Sequence, residues 1–437
     1  MLSPTPAPNP AELLQQLIRF DTTNPPGNER ECGLFIRDIL DQAGIESILL
    51  ARHAERPNLI ARLKGAGNAP PLLLYGHMDV VTTAGQDWQV PPFEGRIQDG
   101  YLWGRGALDT KSGLAMYLAA MLRAKAEGTN LPGDVIFTAV SDEEAGGDYG
   151  AKYLAQEHPG LFEGVRHALG EFGGFNINLV GQRFYPIMIA EKQICWMTAT
   201  FRGPAGHGSM PLHGGAMAKL GRALTLLDRR RLPVHISPPV KLMIDRLADH
   251  LPGLTGRLLR LLTNPAWTDF LLDRLGPRAS LFDPLLHHTV SPTMLQASDK
   301  LNVIPCQVTL GLDGRLTPGG KPEQLIAELG QLLGPEVEFE ILAAEPGPAE
   351  PDLAIFERLA GVLRQLDPSG APVPYVLSGV TDARFFSQLG IQTYGFTPLK
   401  LPEDFNFVST VHAADERVPV DALDFGAQAV YQVINSL

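Results

Sequence analysis

The fold is decided by residues 71–79, which read PLLLYGHMD. The first six of these residues form a short apolar run, which is typical of a strand buried on both faces, and the run ends in His77 and Asp79. Residues 134–140, DVIFTAV, form a second run of this kind, followed by Glu143 and Glu144. Between the two runs, residues 112–127 have apolar positions at helical spacing. Strand, helix and strand in this order predict an α/β sheet that is at least partly parallel.

The length of the chain and a change of pattern along it predict two domains. A chain of 437 residues is longer than one hydrophobic core usually supports. Near residue 191 the pattern changes to an alternating strand at 193–202, a Gly/Pro-rich loop at 203–211 and a helix at 216–229. Residues 231–290 are rich in Pro and Leu and contain several helical patches, to which we assign no bounds. Helix–strand alternation resumes after residue 350. We therefore predict a catalytic domain of residues 1–189 and 346–437, interrupted by an inserted α+β domain of residues 190–345.

Charge and cysteine content exclude several classes of protein. The net charge is −12 and no basic run occurs, which argues against a nucleic-acid partner. Three widely spaced cysteines, Cys32, Cys195 and Cys306, do not suggest a disulfide framework. The first residues lack the basic and apolar regions of a signal peptide, and no apolar run approaches the roughly 20 residues that span a bilayer. We therefore expect a cytoplasmic protein with no membrane partner.

Acidic and histidine side chains follow the predicted strands, where α/β sheets place their ligands. His77 and Asp79 are two residues apart, so on an extended backbone they point to the same side. A carboxylate there can fix the histidine tautomer and leave the other ring nitrogen for a metal, although a simple hydrogen-bonded pair is an equal alternative. Glu143 and Glu144 would repel each other unless a cation is present, and the alternative is a solvated turn.

Three further residues are ambiguous when taken singly. Asp109 precedes a helix, where a carboxylate is favoured by the helix dipole, but it lies in a glycine-rich loop that permits close approach to a ligand. Glu171 follows a short apolar stretch, and His412 is one histidine among eleven. Taken together, two histidines and several carboxylates without cysteine form a nitrogen/oxygen metal site. Zinc accepts both ligand types, and cobalt or manganese could substitute. Five ligands with one bridging carboxylate suit a pair of ions about 3.5–4 Å apart.

Six motifs carry a family resemblance that covers nearly the whole chain. They read GHMDVV at 76–81, GRGALDTKSG at 104–113, SDEE at 141–144, GHGSMP at 206–211, NVIP at 302–305 and TDAR at 381–384. The chain resembles the dinuclear zinc amidohydrolase/exopeptidase family that includes aminoacylase, glutamate carboxypeptidase, acetylornithine deacetylase and succinyl-diaminopimelate desuccinylase. The resemblance implies a zinc-exopeptidase-like catalytic domain with a mixed, largely parallel sheet flanked by helices, and an inserted lid or dimerisation domain.

The resemblance also implies roles for individual residues. It assigns His77 and Glu171 to one zinc ion, Glu144 and His412 to the other, and Asp109 to both. It makes Asp79 the residue that orients His77. It makes Glu143 the general base that takes a proton from a water shared by the two metals and returns it to the leaving nitrogen.

Residues of the inserted domain and of the last motif complete the expected site. By resemblance, His207 stabilises the developing oxyanion and in family dimers reaches the site of the partner subunit. Asn302 and Arg384 resemble the contacts to the substrate end, with Arg384 holding a free carboxylate, although a local salt bridge to Asp382 is the alternative. We therefore expect a homodimer that acts on a small-molecule substrate.

The fifth ligand is Glu171 rather than Asp, which in the family goes with acylases, deacetylases and carboxypeptidases. This favours a metal-dependent hydrolase that cleaves an amide bond next to a free carboxylate, in an N-acyl amino acid or at a peptide C-terminus. The alternatives are a dipeptidase, an N-carbamoyl amino acid hydrolase, or a catalytically idle relative that only binds ligands. Phe172 departs from many relatives, which have glycine at that position.

Overall fold

The structure, a computed structural model, describes residues 9–276 and 281–437. Residues 1–8, at the start of the predicted catalytic domain, and 277–280, within the stretch to whose helical patches we assigned no bounds, lie outside the described residues. The α-helices are α1 (Pro10–Ile18), α2 (Arg30–Gln42), α3 (Lys111–Ala126), α4 (Ala151–Glu157), α5 (Ala216–Arg229), α6 (Pro238–Asp249), α7 (Gly253–Leu261), α8 (Thr268–Leu275), α9 (Asp283–Leu286), α10 (Pro322–Leu333), α11 (Phe356–Leu366), α12 (Ala383–Ser387), α13 (Phe407–Thr410) and α14 (Val420–Ser436). The strands are β1 (Ser47–Leu50), β2 (Asn58–Leu63), β3 (Leu72–His77), β4 (Arg96–Gln98), β5 (Tyr101–Trp103), β6 (Val135–Val140), β7 (His167–Gly170), β8 (Ile177–Leu179), β9 (Gln182–Glu191), β10 (Gln193–Arg202), β11 (Gly206–His207), β12 (Thr289–Gln296), β13 (Val303–Ile304), β14 (Gln307–Leu316), β15 (Glu338–Ala344), β16 (Ala371–Leu377), β17 (Gln392–Gly395) and β18 (Arg417–Pro419).

The described chain divides into two compact units. The first unit comprises residues up to Ile189 together with Asp352–Tyr375 and Thr381–Leu437, and the second comprises Ala190–Pro351 with Val376–Val380. The sequence places the second boundary at 345/346, six residues before the boundary between the units. The difference has a local cause, because the chain beyond β15 stays hydrogen-bonded to β10. The Glu345 amide donates to the Ile194 carbonyl, and the Gln193 side chain donates to the Gly347 carbonyl.

The first unit is built on a nine-stranded mixed sheet. Its strand order is β1-β2-β6-β3-β7-β17-β9-β16, with β8 paired to β9. The central pairs β6–β3, β3–β7 and β7–β17 are parallel, whereas β1–β2, β2–β6, β17–β9 and β8–β9 are antiparallel. The predicted mixed α/β sheet is therefore confirmed, but "largely parallel" holds only for the four central strands. Short connections, which can join only antiparallel neighbours, account for the direction of β1 against β2 and of β8 against β9.

Helices cover both faces of the central strand β3, all of whose residues are buried. On one face, the side chain of Leu114 in α3 lies so close to Gly76 that an added Cβ would be 3.2 Å from it. On the other face, Tyr75 belongs to a core cluster with Leu154 of α4 and Phe386 of α12, and the rings of Tyr75 and Phe386 are 4.7 Å apart. This burial on both faces is why the strand reads as an uninterrupted apolar run.

The second unit contains a four-stranded antiparallel sheet with strand order β12-β14-β10-β15. Side chains along β10 and β14 alternate between buried and more exposed positions, and the buried ones form a core with α5 and α10. The predicted strand 193–202 and the predicted helix 216–229 are confirmed with their bounds. The region left unassigned, 231–290, contains helices α6 to α9. No helix among the described residues is long and apolar enough to cross a membrane.

Candidate metal centre

Three strand ends bring the predicted acidic and histidine residues to one edge of the first unit's sheet. In the parallel register, His77 at the end of β3 is opposite Val140 at the end of β6, and Leu74 is opposite Leu169 of β7. Glu143 and Glu144 lie in a short 3₁₀ helix just after β6, and Glu171 follows β7 directly. The strand-end rule therefore explains why residues nearly a hundred positions apart in sequence become neighbours.

Asp109 lies at the centre of this cluster, and its two carboxylate oxygens face different histidines. Oδ1 is 3.1 Å from Nε2 of His77, and Oδ2 is 3.0 Å from Nε2 of His412. Asp109 occupies the loop immediately before α3, whereas His412 follows α13 with a left-handed φ of 61°. One carboxylate between two imidazole nitrogens is the arrangement that a bridging ligand needs.

Each histidine has a second carboxylate beside it. Nε2 of His77 is 3.2 Å from Oε2 of Glu171, and Nε2 of His412 is 3.3 Å from Oε1 of Glu144. Candidate ligand atoms of His77, Asp109 and Glu144 lie within 4.8 Å of one another, as do those of His77, Glu143 and Glu171. The structure thus brings together all five predicted metal ligands, in the two pairs that the sequence indicates.

The cluster concentrates negative charge where water is largely excluded. Burial, reinforced by the charge of Glu171, raises the pKa of Glu143 well above its usual range. Burial likewise raises the pKa of Glu171 to about 7. Neighbouring carboxylates also raise the pKa values of the two histidines, to about 10 for His412. For a histidine, a higher pKa favours the charged form, whereas for a carboxyl group it favours the neutral form. Buried carboxylates that can ionise only together with a positive partner are what a cation site requires.

The ring of His77 has a defined tautomer. Its Nδ1–H donates to the backbone carbonyl of Asp79 at 2.9 Å, so Nε2 is the ring nitrogen that faces Asp109 and Glu171. The sequence predicts that Asp79 orients this ring, and the shortest contact is through its carbonyl, since the nearer carboxylate oxygen is 3.6 Å from Nδ1. A metal-binding histidine usually has such a partner on its other nitrogen.

The carboxylate of Asp79 organises the acidic pair instead. Its two oxygens accept the backbone N–H groups of Glu143 and Glu144, each at 3.1 Å, and Oδ2 also accepts the Asn24 amide at 2.8 Å. Asp79 is fully buried, so these bonds are not exposed to competing water. One side chain therefore fixes the backbone position of both the predicted base and a predicted ligand.

A buried ion pair that the sequence did not identify joins the Asp109 and His412 loops. Nη1 of Arg105 donates to Oε2 of Glu416 at 2.6 Å, and Oε1 of Glu416 accepts the backbone N–H groups of Leu108 and Asp109 at 2.7 and 3.1 Å. Nη2 of Arg105 also donates to the carbonyl of His412 at 3.2 Å. Arg105 lies within a quoted motif and Glu416 is four residues after His412, but nothing local in the sequence indicates a pair more than 300 positions apart.

The last motif places two buried charged residues beside the cluster. Neither carboxylate oxygen of Asp382 has a hydrogen-bond partner among the described residues, and burial raises the pKa of Asp382 to about 8. Arg384, the second residue of α12, is also buried, and its guanidinium lies 4.5 Å from the centre of the Phe385 ring. The charge of Arg384 acts to lower the pKa of Asp382, so the two groups interact electrostatically.

The second unit holds the remaining predicted residues. His207 lies in β11, paired with Val303 of β13, and the Gly208 amide donates to the Asn302 carbonyl at 2.8 Å, so His207 and Asn302 are neighbours. Nδ1 of the exposed His207 ring is 2.7 Å from Oγ of Ser209. This contact leaves Nε2 on the outer side of the loop, where it could donate to a ligand.

A further group of possible ligands in the second unit comprises His235, His288 and Glu328. The rings of His235 and His288 stack 4.0 Å apart, and the Thr317 amide donates to Nδ1 of His288 at 3.1 Å. Accepting this bond places the ring proton of His288 on Nε2, which blocks that nitrogen as a ligand. The group is therefore better described as a hydrogen-bonded cluster, in which Nε2 of His235 is 2.6 Å from Oε1 of Glu328, than as a metal site.

Comparisons with known proteins agree with the fold and the site. The profile of "Peptidase family M20/M25/M40" matches residues 73–436. The chain is 26% identical to the human protein named N-fatty-acyl-amino acid synthase/hydrolase PM20D1, over 93% of this chain and 82% of the human protein.

Two solved structures share the fold over almost the entire chain. An M20 family metallo-carboxypeptidase from Sulfolobus solfataricus matches with a TM-score of 0.68 and 16% identity, over 98% of this chain and 99% of that chain. A Bacillus subtilis protein described as a dinuclear metal binding peptidase matches with a TM-score of 0.60 and 14% identity, over 97% and 96%. At these identities the likeness concerns the fold alone.

Proposed function

The chain belongs to peptidase family M20/M25/M40, and from this premise we propose that it hydrolyses the amide bond of an N-acyl amino acid or a short peptide next to a free carboxylate. The observation that carries the proposal is the position of Asp109 between His77 and His412, with Glu143 beside them. A catalytically idle relative would have no reason to keep this set complete.

The residues present fit a pair of divalent cations. Burial, reinforced by the charge of Asp109, raises the pKa of Glu144, and the nearest partner of its Oε1 is Nε2 of His412, 3.3 Å away. A cation would stabilise the ionised form of this carboxylate. We propose that His77 and Glu171 hold one ion, that Glu144 and His412 hold the other, and that Asp109 contacts both. The nitrogen and carboxylate donors suit zinc, with cobalt or manganese as substitutes. When bound, such a pair lowers the pKa of water and polarises a carbonyl.

Glu143 is the proposed general base. Its buried carboxylate has a raised pKa, which suits a group that accepts a proton from the attacking water and donates it to the leaving nitrogen. Asp79 fixes the backbone of Glu143, so the carboxylate is held in position before substrate binds. A water nucleophile leaves no covalent intermediate on the chain, so no serine or cysteine nucleophile is required.

Other residues would recognise the two ends of the substrate. We propose that Arg384 and Asn302 bind the free carboxylate and that Nε2–H of His207 stabilises the developing oxyanion. We also propose a homodimer in which His207 serves the partner's site. The support is that β12 forms an edge of the second unit's sheet and exposes Met294 and Leu295 there, as an edge strand that pairs with another copy would.

An N-acyl amino acid with an apolar acyl group is the favoured substrate class. Glu171 as the fifth ligand points to acylases and carboxypeptidases through the family resemblance. The human relative is named for fatty-acyl amino acids, and the chain matches that protein over most of both lengths. Dipeptides and N-carbamoyl amino acids are the alternatives within the family.

A substrate panel tests the proposal. The purified chain, supplied with zinc, would be incubated with N-acyl amino acids of increasing acyl length, with dipeptides and with N-carbamoyl amino acids, and the products identified by mass spectrometry. We expect release of free amino acid from the N-acyl series, and its loss in Glu143→Gln. Ammonia release from N-carbamoyl substrates would instead establish the carbamoyl activity. Two bound ions per chain with no turnover of any substrate would support the idle relative.

A further inference from the structure

Helix α7 in the second unit turns its apolar side to solvent. Its only buried residue is Gly256, which approaches the end of α6 so closely that an added Cβ would be 2.6 Å from the carbonyl oxygen of Ala248. Leu254, Leu258 and Leu261 recur at helical spacing on the opposite side, and Leu254 is 69% exposed. A helix of a globular domain normally buries such a stripe, so α7 has the opposite orientation to that expected for core packing.

Exposed aromatic residues are also present at the start of α8. Trp267, immediately before α8, and Phe270, in its first turn, are 50% and 49% exposed, and their rings meet edge to face with centroids 6.0 Å apart. The guanidinium of Arg274 lies 4.9 Å from the ring of Phe270. We call Leu254, Leu258, Leu261, Trp267 and Phe270, together with the arginines beside them, the α7–α8 surface.

Two arginines of this surface form no ion pair among the described residues. The carboxylates of Asp269 and Asp273 lie within ion-pair distance of Arg231, and Asp269 is also 3.1 Å from Nε2 of His287. Across the described part of the chain, neither Arg257 nor Arg274 forms an ion pair. The acids are thus engaged within the second unit, while these two arginines remain available to an external anion.

We propose that the α7–α8 surface docks peripherally on a lipid–water interface that carries anionic head groups. An exposed leucine stripe with an adjacent tryptophan and flanking arginines is the composition of helices that lie in such interfaces. The two free arginines would contact head-group phosphates or carboxylates, while the apolar side chains enter the boundary region. The expectation of no membrane contact came from the lack of a spanning segment, which does not bear on peripheral docking. The proposal stands apart from the proposed hydrolase activity.

Charge distinguishes this occupant from a second copy of the chain. In a two-fold contact the same surface meets itself, so the acids of α8 that Arg257 and Arg274 could meet are Asp269 and Asp273. Both of these acids already have partners within the chain, Arg231 for the two and His287 for Asp269. An anionic interface supplies the missing negative charge and also covers the apolar stripe.

Vesicle binding of the full chain tests the proposal. Cosedimentation would be measured with vesicles of phosphatidylcholine alone and with vesicles that also contain phosphatidylglycerol. We expect the wild type to prefer the anionic vesicles. Leu254→Gln/Leu258→Gln should lower the partition coefficient for both kinds by roughly tenfold or more, since two leucines are kept from the apolar phase. Arg257→Gln/Arg274→Gln should lower only the anionic preference, by about fivefold for each arginine.

A matched control is Leu342→Gln, because Leu342 is 62% exposed in the same unit but lies on β15. It should bind as the wild type does. Circular dichroism and hydrolysis of a short-chain substrate verify that each variant is folded. Three results would overturn the proposal: no binding of the wild type to either vesicle, unchanged binding of Leu254→Gln/Leu258→Gln, or conversion of a dimer to a monomer by that variant, which would make the surface a contact between copies.

Discussion

Glu416→Gln should both destabilise the protein and weaken its metal centre. Glu416 and Arg105 are almost completely inaccessible, and the carboxylate is shared between the guanidinium and two backbone N–H groups. A glutamine has one acceptor oxygen for these three donors, and its own N–H₂ would face one of them. Arg105 would be left as a buried charge without compensation. Breaking a buried pair in this way costs about 3–5 kcal/mol of unfolding free energy.

The metal affinity should fall as well, because the Asp109 amide donates to Glu416 and the His412 carbonyl accepts from Arg105. Loss of a partner that positions ligands typically lowers metal affinity by about 10–100-fold. Urea unfolding gives the first quantity, and zinc titration against a competing chelator gives the second. Glu338→Gln, which breaks the exposed pair with Arg202, is the control and should leave both unchanged.

A double-mutant cycle separates the pair from its surroundings. In Arg105→Gln/Glu416→Gln the uncompensated charge is gone, so the loss of stability should be smaller than the sum of the single losses by roughly 1–3 kcal/mol. The idea that this pair holds the two loops together would be refuted by either of two results. One is a free energy of unfolding of Glu416→Gln within about 1 kcal/mol of the wild type, and the other is an unchanged zinc affinity.

Four further outcomes follow from the structure. The purified chain should bind about two divalent ions, and a chelator should abolish hydrolysis until zinc or cobalt is returned, as metal analysis and activity assays would check. Glu143→Gln should keep its metal but lose roughly 10²–10⁴-fold in kcat, and an equal loss of metal would mean that Glu143 is itself a ligand. His207→Ala should lose roughly 10²–10³-fold in kcat with metal retained. Co-expression with Glu143→Ala chains should restore part of the activity if His207 serves the partner's site, and no recovery in verified mixed dimers would exclude that sharing. Burial lowers the pKa of Lys192 from 10.5 to about 7, so between these values the unfolded chain binds more protons than the folded one and unfolding free energy rises with pH. Lys192→Met should show a smaller rise in urea titrations at the two ends of that window.

The sequence predicted the site well where chemistry coincides with a strand end. His77, Glu143 and Glu171 follow buried strands, and the parallel register brings those ends together, as expected for an α/β sheet. Asp109 and His412 carry no such signal. Asp109 lies in a motif that resembles a family and His412 is assigned by the same resemblance, since a loop residue's neighbours depend on tertiary contacts rather than on local periodicity.

What the sequence missed depends on long-range packing. The pairing of Arg105 with Glu416 joins residues that are far apart in the chain, and the interaction of Asp79 with two backbone amides leaves no trace in residue spacing. The direction of neighbouring strands could not be predicted from the sequence either, because a buried strand has the same apolar run whether its neighbour is parallel or antiparallel. The helices of 231–290 were not assigned because several of their apolar residues face outward, which disturbs the usual helical pattern.

The insertion of the second unit into the first has a consequence for the order of biosynthesis. Leu169 of β7 pairs with Tyr394 of β17, so a central strand of the first unit's sheet is made 225 residues after its neighbour. At a synthesis rate of roughly 5–20 residues per second, the ribosome needs about 10–45 s to cover that distance. Nearly all of the second unit is contiguous and emerges within this interval. It can therefore fold while β7 still lacks β17, and during that time the apolar edge of β7 depends on chaperones or transient collapse for protection.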